Sequence, residues 1–125
     1  MNIPNNLKYT ESHEWVRVEG DEAYIGITEF ASSQLGDIVF LEIETEGEEL
    51  DKGDAYGTIE AVKTVADSYM PVAGEVIEVN QAAIDEPSVV NKDPYGEGWL
   101  IKIKIADSSE LNDLLDSEAY KAVIE

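Results

Sequence analysis

The sequence predicts a mainly β fold with small helical parts and a helical C-terminal tail. Three observations carry that expectation. Residues 14–105 break into short apolar or alternating runs separated by turn residues, the period-2 signature of half-buried strands. β-Branched residues concentrate in those runs, most densely in Ile38-Val39-Phe40-Leu41-Glu42-Ile43, where two substituents on Cβ suit a pleated surface. Beyond residue 107 the spacing changes: Leu111, Leu114 and Leu115 share one helical face, and Tyr120, Val123 and Ile124 a second.

Taken in order, Trp15-Val16-Arg17-Val18 alternates, Glu19-Gly20-Asp21 turns, and Ala23-Tyr24-Ile25-Gly26-Ile27 alternates again, which is a hairpin pattern. Thr28 is placed to cap a short helix bearing Phe30, Ala31 and Leu35, with Gly36 to stop it. After the strand from Ile38 comes an acidic stretch with seven carboxylates between Glu42 and Asp54, opposed only by Lys52. The runs Ala55–Glu60 and Val65–Met70 flank Ala61-Val62-Lys63-Thr64, giving strand, tight turn, strand. Pro71 closes that unit and Gly74 opens another strand to Asn80. Pro87, Pro94, Gly96 and Gly98 predict a loop-rich return to a last strand, Trp99–Ile105, with Lys102 and Lys104 facing out. In the tail, Asp107 with Glu110 has the spacing of an acidic capping box. One internal echo, Gly36-Asp37-Ile38-Val39 against Gly74-Glu75-Val76-Ile77, fits either a pseudo-symmetric sandwich or ordinary turn chemistry. A single domain is expected over residues 1–125, with a β-sandwich core over about 7–105 and C-terminal helices over 107–125.

Composition excludes several function classes. The chain has 125 residues, 28 Asp and Glu against 8 Lys and Arg, and a formal charge of −20. Phosphate recognition needs a basic patch, which eight scattered cations do not build, so no nucleic acid is expected as a partner. Anionic membrane surfaces are disfavoured on the same ground. No apolar run approaches the roughly 18–20 residues of a membrane span, and Met1-Asn2-Ile3-Pro4 carries no signal-peptide core. With no cysteine there is no disulfide, thiolate zinc site or thiol nucleophile.

No self-sufficient catalytic set emerges. His13 is the only histidine, and on a strand its neighbour Ser12 would face the opposite way, so a Ser-His-Asp triad has no basis and His13 is expected to be a structural or rim residue. One histidine and no Asp-x-Asp-x-Asp-Gly loop leave no metal site by pattern. The glycines are spaced as turn residues rather than as a phosphate cradle.

Lys63 stands apart. Its neighbours are apolar or small, Glu60-Ala61-Val62 before it and Thr64-Val65-Ala66-Asp67 after it, and the turn lacks Asn-Gly or Asp-Gly chemistry. If the flanking strands pair, Lys63 sits at or beside an exposed tip, as a solvated turn lysine or as an amine flanked by a shape that a modifying enzyme could read.

The chain resembles the H-protein family of the glycine cleavage system from about Leu7 to Tyr120. The matching segments are Ser12-His13-Glu14-Trp15-Val16, Ile25-Gly26-Ile27-Thr28 and Leu35-Gly36-Asp37-Ile38-Val39-Phe40. They continue with Ile59-Glu60-Ala61-Val62-Lys63, Gly74-Glu75-Val76-Ile77-Glu78-Val79-Asn80 and Asp93-Pro94-Tyr95-Gly96-Glu97-Gly98-Trp99-Leu100.

The resemblance implies a barrel-sandwich hybrid related to lipoyl and biotinyl carriers, with lipoic acid amide-linked to Lys63 and no catalytic activity of its own. It implies a shuttle of the aminomethyl group of glycine between three enzymes: a pyridoxal-phosphate glycine decarboxylase, an aminomethyltransferase and dihydrolipoyl dehydrogenase. Lipoate-attaching enzymes are further implied partners. The family's cleft for the loaded arm falls on Ser12, Glu14 and Asp67, two carboxylates and a hydroxyl suited to a cationic amine. Four positions depart from the family pattern: Ala61, Ala66, Glu42 and Gln34, the last where some members carry a histidine near the arm. A monomer is expected, in a bacterial cytoplasm or, for a mature eukaryotic chain, a mitochondrial matrix. The −20 charge would steer such a carrier to basic partner rims or serve solubility alone. Two other readings stay open: a lipoyl relay donating lipoyl groups to other complexes, and an acidic binding module never modified at Lys63.

Overall fold

A computed structural model describes all residues 1–125. In chain order the first strands are β1 (Lys8–Tyr9), β2 (Glu14–Glu19) and β3 (Glu22–Ile27), followed by α1 (Glu29–Leu35) and β4 (Ile38–Glu42). Next come β5 (Glu49–Leu50), β6 (Ala55–Ala61), β7 (Val65–Tyr69) and β8 (Gly74–Val79). Two short helices, α2 (Gln81–Asp85) and α3 (Ser88–Lys92), lead to β9 (Ile101–Ile105), a 3₁₀ turn over Ser108–Asp113, and α4 (Ser117–Ile124).

The strands form two antiparallel sheets. One has six strands in the order β1-β2-β3-β9-β8-β5, the other three in the order β4-β6-β7. This is the expected mainly β fold, built as two separate sheets. The main core draws on both: Val16, Ile25 and Ile103 from the larger sheet meet Leu41, Tyr56 and Ile59 from the smaller. Burying such side chains contributes about 1.5–3 kcal/mol each, which is what fixes the strand registers against a one-residue slip.

A second, smaller cluster of Leu7, Tyr9, Trp15 and Tyr120 includes the two aromatic residues of β1 and β2, with Tyr24, Tyr95 and Trp99 packed against it. The Tyr9 and Tyr120 rings stack at 4.8 Å, so α4 is docked onto the edge of the larger sheet.

Thr28 and Gly36 bound α1 as expected. The Thr28 hydroxyl accepts from Ala31 N, and Gly36 ends the helix at φ +80, where only glycine is unstrained. Gly74, its partner in the sequence echo, serves another need. It is paired in β8, and a Cβ there would lie 2.5 Å from the Lys104 carbonyl oxygen.

Four expectations change. Residues 80–99 hold α2 and α3 where a loop-rich return was predicted. Each helix has five residues and one buried side chain, Ala83 or Val90, too few for a 3.6-residue period to register. The last strand starts at Ile101 rather than Trp99; Trp99 is half-buried, its ring edge-on to Tyr24 at 5.0 Å. The tail is interrupted, because Leu115 exchanges two 2.8 Å backbone hydrogen bonds with Tyr9 and so stays extended between the 3₁₀ turn and α4. The capping box does not form: Asp107 accepts from Ser109 N, while Glu110 reaches across to Ala73 N at 2.7 Å.

Candidate functional site

The β6–β7 hairpin presents Lys63. Glu60 pairs with Val65, and Ala61 N donates to Thr64 O at 2.8 Å, leaving Val62 and Lys63 as a two-residue loop. Neither has positive φ, so the turn is not one of the primed types that usually close such hairpins; a β-branched residue such as Val62 strongly disfavours that region. The loop is braced from outside instead, by Val62 N donating to Asp37 O at 3.0 Å. Asn91 of α3 braces the brace. Its Oδ1 accepts from Ile38 N at 3.0 Å and its Nδ2 donates to Gly36 O at 2.8 Å, pinning the turn between α1 and β4.

Lys63 is exposed and enters no ion pair. Its stem passes over Gly36, where a Cβ would stand 3.4 Å from Lys63 Cε. Around it the surface is apolar: Val62 is 75% exposed and Val65 59%, with Val39 and Phe40 also exposed on the neighbouring strand. Val39 lies where the β4–β6 register shifts, which is how two consecutive residues of one strand both turn outward.

A cleft of about 330 Å³ opens between α1 and the β2 and β7 strands. Phe30, Ala31, Leu35, Ile59 and Ala66 give it apolar walls, and Ser12, Glu14, Asp67 and Ser68 give it a polar end. The three residues singled out from sequence therefore line one cavity, with Gln34 on the helix side. Leu35, the last residue of α1 and a lining residue of the cleft, directly precedes Gly36, the residue beside the Lys63 stem. A second cleft, of about 350 Å³, shares Ser12 and Glu14 but involves neither α1 nor the Lys63 loop.

The two carboxylates differ. Asp67 is exposed and accepts from Thr58 Oγ1 at 3.1 Å. Glu14 is only 2% exposed and accepts from Thr10 Oγ1 at 2.7 Å and Ser12 Oγ at 2.5 Å, with weaker contacts to Ser68 Oγ and Tyr69 N. Burial pushes the Glu14 carboxyl above its ordinary 4.5, and the hydrogen bonds from Ser12, Thr10, Tyr69 and Ser68 only partly offset it. Ser12 spends its one proton on Glu14, so toward a ligand it offers lone pairs, which suits a cation.

The folded chain thus holds the Glu14 proton more tightly than the unfolded chain. The stability this group contributes is fully present below about pH 4.5 and drains as pH rises through the folded-state value. Glu14→Gln, which cannot ionise, is expected to gain stability relative to the parent chain as pH is raised from 4.5 toward neutrality. Urea titrations across that range read the sign; a parallel pair of curves would rule out the buried charge as the cause.

Ser12 and His13 do not face opposite ways, because neither lies on a strand: β2 begins at Glu14. His13 is the one non-glycine residue with positive φ, +72, and this left-handed step lets Ser12, His13 and Glu14 line the cleft in succession. Its ring packs against Phe30 at 4.9 Å, and burial holds its pKa below the ordinary 6.5. His13, Phe30, Ile59 and Ser68 are cleft residues that sequence reasoning did not select. The helical position of Phe30 beside the Thr28 cap was the only available signal.

The family model described as Glycine cleavage H-protein matches residues 7–125. The chain belongs to the glycine cleavage H-protein family. It is 63% identical over 124 residues to the glycine cleavage system H protein of Bacteroides thetaiotaomicron, covering 99% of this chain and 98% of that one. The corresponding protein of Bacteroides fragilis is 61% identical over the same shares. A crystal structure of a glycine cleavage system H protein from Mycobacterium marinum superposes with a TM-score of 0.88 at 36% identity, over 96% of this chain and 97% of that one. As an H protein the chain is a lipoyl-carrier component of glycine cleavage rather than a catalyst. No helix is long and apolar enough to cross a membrane.

Proposed function

We propose that Lys63 Nζ is the amide attachment point for lipoate and that residues 1–125 act as one carrier domain, with Ser12, Glu14 and Asp67 receiving the tethered arm. The observation that carries this reading is an unpaired lysine held at a braced two-residue loop, its stem beside Gly36, the residue that follows the helical wall of the cleft.

The cleft residues fit such an arm. Its apolar walls suit an aliphatic chain, and the Ser12, Glu14 and Asp67 end suits an amine. When attached, the dithiolane supplies the redox and group-accepting chemistry that no side chain here offers. The chain's own work is physical. The rigid hairpin keeps the arm's tip at high effective concentration near each partner. The cleft walls exclude water from what the arm carries. Glu14, already desolvated and hydrogen-bonded, attracts a cation more strongly than a surface carboxylate does. The partners proposed are the pyridoxal-phosphate glycine decarboxylase, the aminomethyltransferase, dihydrolipoyl dehydrogenase and a lipoate-attaching enzyme, met in the cytoplasm of a bacterium.

Intact-mass measurement of the chain from cells able to lipoylate tests the attachment. One lipoyl increment, mapped to Lys63, is the expected result; an unmodified chain under those conditions would favour an inert acidic module. Glu14→Ala combined with Asp67→Ala is expected to leave the increment intact while shortening the lifetime of the cargo about tenfold, in line with loss of charge-assisted contacts. An unchanged lifetime would remove both residues from the cleft's function.

A further inference from the structure

The cap of α1 dictates which nitrogen of His13 carries the proton. Thr28 is fully buried. Its Oγ1 accepts from Ala31 N at 3.2 Å, and its only other polar contact is the Tyr120 hydroxyl at 2.7 Å. The Thr28 proton therefore has one acceptor, and leaving it unpaired in the core would be costly. Tyr120 Oη, accepting from Thr28, donates its own hydrogen bond to its remaining partner, His13 Nδ1, at 2.9 Å. An Nδ1 that accepts belongs to a neutral imidazole with its proton on Nε2. The backbone holds the ring in place: His13 N donates to Thr10 O, and Thr28 N donates to His13 O. Nε2 makes no hydrogen bond within the chain, and the residue lines the cleft.

We propose that His13 is a fixed, uncharged hydrogen-bond donor of the cleft, presenting Nε2–H to an uncharged acceptor on the lipoyl-lysine arm, with Tyr120 of α4 as the positioning residue that sets its tautomer. This rests on the attachment at Lys63. It separates two jobs within one cavity: Glu14 and Asp67 suit a cationic group, whereas a neutral N–H suits the arm itself, with or without cargo. It also gives the C-terminal helix a part in the cleft, since Tyr120 Oη bridges the Ser12–Glu14 wall to the start of α1.

The tautomer is read on the unmodified chain by imidazole ¹⁵N NMR at neutral pH. Wild type is expected as the single Nε2–H form. Tyr120→Phe, which keeps the ring stack on Tyr9, is expected to shift it toward a tautomer mixture. An Nδ1–H or charged ring in wild type would overturn the proposal. The contact is read on the lipoylated chain as the rate at which a water-soluble phosphine reduces the arm's disulfide. His13→Gly keeps the left-handed backbone without strain and is expected to speed reduction about three- to tenfold, the worth of one hydrogen bond. His13→Asn, which tolerates the same φ and restores a donor, is expected to recover part of the protection. Equal rates in wild type and His13→Gly would overturn the contact. A chain that gains no lipoyl mass would instead overturn the attachment at Lys63 and with it the arm as ligand, while the tautomer result stands or falls by itself.

Discussion

Lys63→Arg is expected to abolish lipoyl attachment outright, and insertion of two glycines after Val62 to slow it roughly a hundredfold even though the lysine stays exposed. The arginine result follows from chemistry, because a guanidinium remains protonated and offers no free amine to acylate. The insertion tests shape. It leaves the Val62 N to Asp37 O bond in place but turns a two-residue loop into a four-residue one with the most flexible residue available. Lys63 then leaves its track over Gly36 and its fixed spacing from the exposed Val62 and Val65. A modifying enzyme that needs the ε-amine placed to within an ångström loses that placement. Intact mass against time of exposure to a lipoate-attaching enzyme measures both variants, with urea midpoints to show that the sheets still form. Modification of the insertion variant at the parental rate would mean that exposure alone suffices and that the bracing by Asp37 and Asn91 serves stability only.

What the sequence reveals about this site follows the range of the interactions. The β2–β3 hairpin, the Thr28 cap and the Gly36 stop are short-range chemistry, legible because each needs a particular residue at a particular offset. Lys63 is legible as a turn residue without turn chemistry, and the structure explains the oddity: the loop is stabilised by Asp37 and Asn91, 26 and 28 positions away. Asn91 itself was hidden, since α3 is too short to show a period. The opposite orientation expected for Ser12 and His13 assumed a strand, and no local pattern foretells a histidine at φ +72; its partner, Tyr120, lies 107 residues on. The grouping of Ser12, Glu14 and Asp67 came from family resemblance, not from spacing, because in a chain with 28 acids no pair of carboxylates announces itself. That Glu14 is buried and hydrogen-bonded while Asp67 is exposed was beyond any sequence pattern, for it depends on Thr10, Ser68 and Tyr69 converging from two separate segments.

Gly26→Ala is expected to destabilise the chain by about 1–3 kcal/mol, the usual range for overpacking, while leaving attachment at Lys63 unchanged. Trp15 lies across from Gly26 in the β2–β3 register, and a Cβ there would sit 2.7 Å from Trp15 Cζ2 and 2.8 Å from its Nε1. The indole has no room to retreat. It is fully buried, Nε1–H donates to Pro94 O at 2.9 Å, and Tyr95 packs against it at a tilt with ring centroids 6.2 Å apart. Displacing it would also tug on the segment that holds α1, because the Tyr95 hydroxyl accepts from Glu29 N at 3.1 Å. The strain therefore runs from the outer aromatic cluster to the helical wall of the cleft and bypasses the Lys63 hairpin, whose bracing comes from Asp37 and Asn91. A lower urea midpoint together with faster amide exchange in α1, at an undiminished rate of lipoylation, is the expected pattern. An unchanged midpoint would show that Trp15 re-seats freely, and the outer cluster would then be a cover over the sheet rather than a support for the cleft.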